Sequence, residues 1–372
     1  MMKIGFLINP VAGMGGKVAL KGTDGEETLR RALELGAVPL AGERAAEAVR
    51  EFAENAADCR FYSPSGAMGA DLLESYGLET ELLFAPSTHT TSADTKRAAE
   101  MMLTRGVGLI VFAGGDGTAR DVCSVVGESV PVVGIPAGVK IHSGVYAKRP
   151  KAAGMLINNL LLGKVRRFSV AEVVDIDEEA FRDDIVRARL YGYMKVPDDR
   201  EFMQDRKSGG SGGSSEEAAN LAAFTALSMK PGTLYLVGSG STTKQLMDRL
   251  GLDCTLLGVD AVLDRKLVGK DLTEAEIKEI LSSVERKKRA LIITVIGGQG
   301  HIFGRGNQQL SPAVIRMIPK ENIMVIATPA KMAQLFGKSL IADTGDSALD
   351  RELAGYLPVV TGYARKMMVK VS

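Results

Sequence analysis

The stretch Leu109-Ile-Val-Phe-Ala-Gly-Gly-Asp-Gly-Thr-Ala-Arg-Asp121 runs an unbroken apolar segment into a turn of three glycines and one aspartate. A continuous apolar run of this length fits a strand buried on both faces, as in a parallel sheet covered by helices. Glycines at 114, 115 and 117 let the backbone turn sharply and approach a ligand with no Cβ in the way. A helix starting just after the turn aims its unpaired N–H groups at the same point, which suits phosphate. Thr118 stands where it can cap that helix. The aspartate, Asp116, repels an anion unless it binds Mg²⁺ or accepts a proton from an attacking hydroxyl. Both jobs belong to phosphoryl transfer. A plain strand-to-helix turn with an incidental aspartate is the bland alternative, but such a turn needs only one or two glycines.

Outward from this point the first half alternates strand and helix. Residues 3–8 read as a strand ending at Asn9-Pro10, and 43–55 as an alanine-rich helix. Residues 79–84 are a strand, 92–104 a helix capped by Thr91 or Ser92, and 108–113 and 131–135 two further strands. That alternation predicts a Rossmann-like open parallel sheet, with ligands at the carboxyl ends of its strands. After Leu162 the pattern changes to apolar–polar alternation over 168–176 and 185–196, which predicts antiparallel strands. Residues 208–215 are only Gly and Ser, a flexible loop by composition, or a lid given Arg206 and Lys207 before it. A second α/β stretch follows, with strands at 234–237, 291–296 and 322–327 and helices at 242–250 and 274–286. The expected fold class is α/β, with an N-terminal domain over 1–160 and a mixed, strand-rich C-terminal domain over 161–372.

Two more glycine-rich turns carry candidate chemistry. In Tyr235-Leu-Val-Gly-Ser-Gly-Ser-Thr-Thr243, a strand meets a helix through Gly238, Ser239, Gly240, Ser241 and Thr242, which suits an anion. Capping alone explains one hydroxyl there and not four. In Gly297-Gly-Gln-Gly-His-Ile-Phe-Gly-Arg-Gly-Asn-Gln-Gln309, Gly298 and Gly300 form a turn, and Arg305 can grip phosphate in a fork. Asn307 and Gln308 can bond a base edge or a ribose, while the bland reading is a solvated surface loop. Lesser candidates are Lys17 and Lys21 near the first turn, Asp24, and Asp121, which with Asp116 is a candidate Mg²⁺ ligand. Asp343-Thr-Gly-Asp346 reads either as a metal-ligand cluster or as a helix-capping loop.

Composition closes off several classes. Lysine plus arginine total 46 against 45 aspartate plus glutamate, so no charge excess points to nucleic acid or a membrane surface. Tryptophan is absent, which disfavours a base-stacking platform. Residues 1–10 read as a first buried strand and not as a signal peptide. Cys59, Cys123 and Cys254 lie far apart in apolar surroundings, as buried reduced thiols of a cytoplasmic protein do. No two of His89, His142 and His301 have metal-ligand spacing.

Gly114-Gly-Asp-Gly-Thr118 resembles the signature of the superfamily that holds NAD kinases, diacylglycerol-type lipid kinases and 6-phosphofructokinases. The opening Asn9-Pro-Val-Ala-Gly13 is similar to the start of NAD and lipid kinases. With Gly13-Met-Gly-Gly-Lys17, Leu20-Lys-Gly-Thr-Asp24, Ser92-Ala-Asp-Thr95 and the segment 297–309, nearly the whole chain resembles the ATP-NAD kinase family. Within it the wider pattern resembles the predicted polyphosphate/ATP-dependent NAD kinase branch related to AcoX-type proteins. The resemblance implies an NAD kinase-like fold whose last segment, 363–371, returns to the first domain. It implies transfer from ATP or polyphosphate, with Mg²⁺, to the adenosine ribose 2′-hydroxyl of NAD. Asp116 would be the base or the group that positions it, and Asn9, Gly114, Gly115, Gly117 and Thr118 would hold nucleotide. A homodimer or higher homo-oligomer is a further expectation from the same source. The chain departs from the family at Ile135-Pro-Ala-Gly-Val-Lys-Ile-His142, where NAD kinases carry an Asn-Glu pair. Lys140 and His142 stand in its place, as candidate phosphate contacts. Two other readings stay open: a kinase for another hydroxyl acceptor (nucleoside, sugar or lipid backbone), and a non-catalytic nucleotide sensor.

Overall fold

A computed structural model of the chain describes residues 1–20, 26–87, 89–139, 141–176, 188–199, 201–204, 215–335 and 337–372. Lys21, Asp24, Lys140, Arg206, Lys207 and the Gly/Ser segment through 214 lie outside the described residues. The chain forms two compact units: Met1–Met14 with Gly22–Arg206, and Gly15–Lys21 with Lys207–Ser372.

The first unit is built on a five-stranded sheet of β1 (Met2–Ile8), β2 (Cys59–Ser63), β3 (Thr80–Leu82), β4 (Leu109–Gly114) and β5 (Val132–Pro136). All pairings are parallel and the strand order is β3-β2-β1-β4-β5. The chain therefore steps outward from β1 to β3, crosses back, and steps the other way from β4 to β5. Every residue of β4 is buried, as its unbroken apolar run requires. The connecting helices are α1 (Glu26–Glu34), α2 (Ala41–Phe52), α3 (Ala70–Ser75), α4 (Ser92–Thr104), α5 (Asp116–Val126) and α6 (Pro150–Leu161). Helix α2 buries Ala41, Ala45, Ala48, Val49 and Phe52, the one-sided spacing of an amphipathic helix. Helix α4 starts at Thr91, whose N–H and hydroxyl both donate to the Asp94 carboxylate, 2.8 and 3.1 Å away.

Strands β6 (Phe168–Ile176) and β7 (Ala188–Pro197) form an antiparallel ribbon. Ala171, Val173, Met194 and Val196 face the core of the first unit, and Phe168, Val170 and Tyr193 face outward. A division at residue 160 thus cuts through a packed body. The ribbon closes the first unit and does not open the second.

The second unit holds β8 (Leu234–Val237), β9 (Asp260–Leu263), β10 (Lys266–Gly269), β11 (Arg289–Thr294), β12 (His301–Phe303), β13 (Ile323–Ile326), β14 (Ile341–Ala342), β15 (Gly355–Gly362) and β16 (Arg365–Val371). Seven of these form one mixed sheet in the order β10-β9-β8-β11-β13-β15-β16, with β12 and β14 paired apart. Strands β8, β11, β13 and β15 run parallel, so the carboxyl ends of β8, β11 and β13 share one edge. The helices are α7 (Ser215–Ser228), α8 (Ser241–Leu250), α9 (Glu274–Ser282), α10 (Pro312–Arg316), α11 (Pro329–Ala333) and α12 (Ser347–Leu353). Residues 363–371 belong to the second unit. Strand β16 pairs along β15 from Gly355↔Val371 to Gly362↔Arg365, an edge hairpin of the second unit's own sheet.

All three cysteines are buried and free, and burial pushes each thiol pKa up. Among the described residues no helix is long and apolar enough to cross a membrane. Of the two readings of Asp343–Asp346, capping is the one observed: Asp346 Oδ1 accepts N–H groups of Ala348 and Leu349 at 2.9 and 3.0 Å.

Arg316, 2.7 Å away, and then the helix N–H groups hold the Asp346 carboxyl at about 2, below its ordinary 3.8. A depressed folded pKa contributes stability above the ordinary value and loses it as pH falls through the folded one. Asp346→Ala should therefore cost about 1 kcal/mol near neutral pH, the usual worth of a cap. In urea titrations the gap between wild type and variant should narrow from about pH 4 toward about pH 2. A gap that stays constant across that window would overturn the assignment.

Candidate functional site

Strand order reverses between β1 and β4, and an open α/β sheet binds ligands at the carboxyl ends flanking such a reversal. Asn9 follows β1 directly, and its N–H donates to Ala113 O of β4 at 2.9 Å. Its side-chain amide donates to Thr118 Oγ1 at 2.9 Å, and its Oδ1 accepts the Val11 N–H at 3.3 Å. One asparagine therefore joins the loop after β1 to the first turn of α5.

Gly114 ends β4 with no room for a side chain: a Cβ there would lie 2.4 to 2.7 Å from the Thr118 side chain. Gly115 is the N-cap of α5 and offers no side-chain cap. The expected capping role of Thr118 is thus not seen; its hydroxyl is engaged by Asn9, one turn into the helix. The N–H groups of Asp116, Gly117 and Thr118 lie in the first turn of α5, where no intrahelical carbonyl serves them. The turn 136–138 wraps over Gly114, whose carbonyl accepts from Ala137 and Gly138 at 2.9 and 3.0 Å. Behind the turn, the Tyr146 hydroxyl donates to Gly115 O, and its ring packs edge-on against Phe112 at 5.4 Å.

Asp116 is 6% exposed and points into the loop after β5. Its Oδ2 accepts the His142 N–H at 2.7 Å and lies 3.1 Å from His142 Nδ1. Its Oδ1 accepts the Ser143 N–H at 3.0 Å. The Ser143 hydroxyl donates to Val174 O and accepts the Val174 N–H, at 2.9 and 3.1 Å, so the same loop is pinned to β6. Arg120 pairs with Asp175 at 2.8 Å. Asp121 faces Lys96 of α4 at 3.6 Å. The two carboxylates named as candidate metal ligands therefore have different neighbours. Among the described residues no group of three or more His, Cys, Asp or Glu is placed to hold a metal ion.

In the second unit, Gly238 N donates to Ile292 O at 2.9 Å, and the Ser239 hydroxyl donates to Gly306 O at 2.7 Å. Gly240 caps α8 at φ +130°, where a Cβ would meet Thr294 Cγ2 at 2.6 Å. Ser241 is exposed and Thr242 buried at the helix start. Lys331 of α11 donates to Thr242 Oγ1 at 2.8 Å and to Thr294 Oγ1 at 3.4 Å. An ammonium thus stands at the positive end of α8, where helix dipole and side chain both favour an anion.

Gly298 and Gly300, at φ +76° and +80°, turn the chain from β11 into β12. Arg305 is 5% exposed and donates to Gln299 Oε1 at 3.2 Å. Asn307 is equally inward: its amide donates to Ile302 O at 2.9 Å and its Oδ1 accepts the Gly304 N–H at 3.1 Å. Both make hydrogen bonds within the loop. The loop reaches the Ser239 turn through the Gly306 carbonyl. Sequence reasoning missed Lys331, Thr294, Ser143 and Tyr146, and saw His142 only as a phosphate contact. None of them lies within the motifs whose backbone and carboxylate they serve.

The family model for the ATP-NAD kinase N-terminal domain matches residues 4–165, and that for the ATP-NAD kinase C-terminal domain matches residues 232–371. No curated protein and no solved structure matches the chain significantly.

Gly114→Ala should lower unfolding free energy by roughly 1–3 kcal/mol, because the added methyl overlaps Thr118. Gly42→Ala, in α2 with nothing within 4 Å, should leave it level or raise it. Equal urea midpoints for the two variants would show that the turn tolerates a side chain.

Proposed function

The chain belongs to the ATP-NAD kinase family and is a kinase, and from that premise we propose its reaction in detail. It moves a phosphoryl group from ATP or polyphosphate to the adenosine ribose 2′-hydroxyl of NAD, giving NADP. The observation that supports this most directly is the turn at the β1/β4 reversal. It sets helix-start N–H groups beside a buried carboxylate held by His142 and Ser143. Phosphoryl transfer asks little covalent chemistry of a protein; positioning and charge stabilisation do most of it.

In this reading Gly114, Gly115, Gly117 and Thr118 hold phosphate through backbone and hydroxyl, with Asn9 fixing Thr118. Asp116 serves the hydroxyl that attacks. Gly238, Ser239, Ser241 and Thr242, backed by Lys331, offer a second phosphate site. Mg²⁺ commonly uses one or two carboxylates plus substrate phosphates. With Asp116 held by the loop after β5 and Asp121 beside Lys96, this reading has the ion arrive with the donor's phosphates.

With purified protein, Mg²⁺, NAD and ATP or polyphosphate, NADP should form and be read by a coupled dehydrogenase. Asp116→Asn should lower kcat at least about 100-fold. No NADP from either donor sinks this reading and moves the search to other hydroxyl acceptors. Lys331→Met should raise the nucleotide KM about tenfold with kcat little changed, the pattern of a lost phosphate contact. A fall in kcat with KM unchanged would place Lys331 at the reacting group instead.

A further inference from the structure

Strand β16 is the last in its sheet, and its outer side is only partly used. The Lys370 carbonyl accepts the Leu340 N–H at 2.7 Å, and the Ser372 N–H donates to Leu340 O at 2.9 Å, both on the side away from β15. Successive residues of a strand aim their N–H and C=O to alternate sides, so Met368 and Lys366 aim theirs the same way as Lys370. Pro358 agrees: it stands opposite Met368, and a proline has no N–H to give to a ladder. Among the described residues no strand pairs with β16 on that outer side between Arg365 and Val369. The side chains there are open as well. Met367 is 47% and Met368 60% exposed, and Tyr356 and Pro358 of β15, on the face that Met368 shares, are exposed too. An unpaired row of N–H and C=O groups flanked by apolar side chains is a template for a further strand.

We propose that β16 pairs antiparallel with β16 of a second copy of this chain, about a two-fold axis at Met367, so that two sheets become one. The open stretch is bounded at one end by the turn at Ala364, φ +52°, and at the other by the Leu340 segment. Met367 is its midpoint, so a second copy turned about that residue fills the whole stretch and stops where each bound begins. Lys366 then exchanges N–H and C=O hydrogen bonds with the partner's Met368, a self-complementary contact that closes on itself. Charge chooses the register. Arg365, Lys366 and Lys370 are cations, and no acidic residue stands between Ala354 and Ser372. Like charges directly opposite are destabilising. Centred on Met367, Lys366 faces the partner's Met368 and Arg365 faces the partner's Val369. The next register either way sets Lys366 opposite the partner's Lys366 or the partner's Lys370. Lysine on an edge strand ordinarily keeps other strands off. Here its spacing leaves one register open, in which the lysine stem lies over methionine.

Sedimentation velocity of the full chain, over an about hundredfold range of concentration, should show monomer passing to dimer. Met368→Pro removes an N–H that β15 does not use, and proline is tolerated on an edge strand with its N–H side outward. It should keep the melting temperature and raise the dimer dissociation constant at least about tenfold. Met368→Glu, set opposite the partner's Lys366, should lower that constant about threefold. The register is read by cysteine. Met367 faces its own counterpart in a narrow pair, with Cα atoms about 4.5 Å apart, within reach of a disulfide. Under mild oxidation Met367→Cys should give a linked dimer and Arg365→Cys should not, against native cysteines that are all buried. A dimer that Met368→Pro leaves at wild-type strength, or a Met367→Cys chain that links no faster than Arg365→Cys, overturns the proposal. So does a chain that stays monomeric throughout, which would leave the edge to an extended segment of another protein. If Met368→Pro melts early, the cysteine pair decides.

Discussion

A buried carboxylate must find hydrogen-bond donors or cost several kcal/mol, and Asp116 finds them in the backbone of a loop 26 and 27 residues away. That requirement fixes the path of the chain after β5. His142 and Ser143 must bring their N–H groups to the head of α5, and Ser143 then exchanges two hydrogen bonds with Val174. Arg120 with Asp175, and the Cys123 thiol toward Tyr193 O at 3.8 Å, tie the same ribbon to the same helix. The position of the β6–β7 ribbon in the first unit thus follows from serving one charge at the start of α5. A boundary drawn at the change of periodicity near residue 162 misses this, because periodicity tells which face of a ribbon is apolar and not what covers it.

What was legible in the sequence was local. Helix α4 runs over the residues expected of it, because Thr91 and Asp94 settle its start between themselves. Strand β4 and its turn were legible because burial on both faces writes an unbroken apolar run, and the glycines mark where the backbone bends. The hairpin β15–β16 was not anticipated: Gly355, Pro358 and Gly362 punctuate β15 in a way that suggests loop. Proline is tolerated near a sheet edge, where fewer ladder bonds are at stake. Its pairing with β13 is confined to Val359 and Val360.

The site divides along the same line. Glycine turns announce themselves, but the groups that complete them come from elsewhere in the chain. Lys331 reaches Thr242 across 89 residues, and nothing in the Thr328-Pro329 start of its helix tells of that destination. Arg305 and Asn307 show the other side of a glycine-rich loop. Their chemistry suited a ligand, yet a long loop that folds inward must satisfy its own carbonyls and amides first, and Asn307 is used for that. Donor-rich residues in glycine-rich loops are as often the loop's own clasps as its reading heads.

The two strand-turn-helix corners share a backbone device and differ in sign. At α8 the side chain brought to the helix start is an ammonium, so field and donors add and the corner is suited to hold an anion at rest. At α5 it is a carboxylate, which weakens the hold on phosphate at the very point where N–H groups converge. A corner meant only for binding gains nothing from that. The carboxylate makes sense where a hydroxyl must lose its proton as it approaches phosphorus.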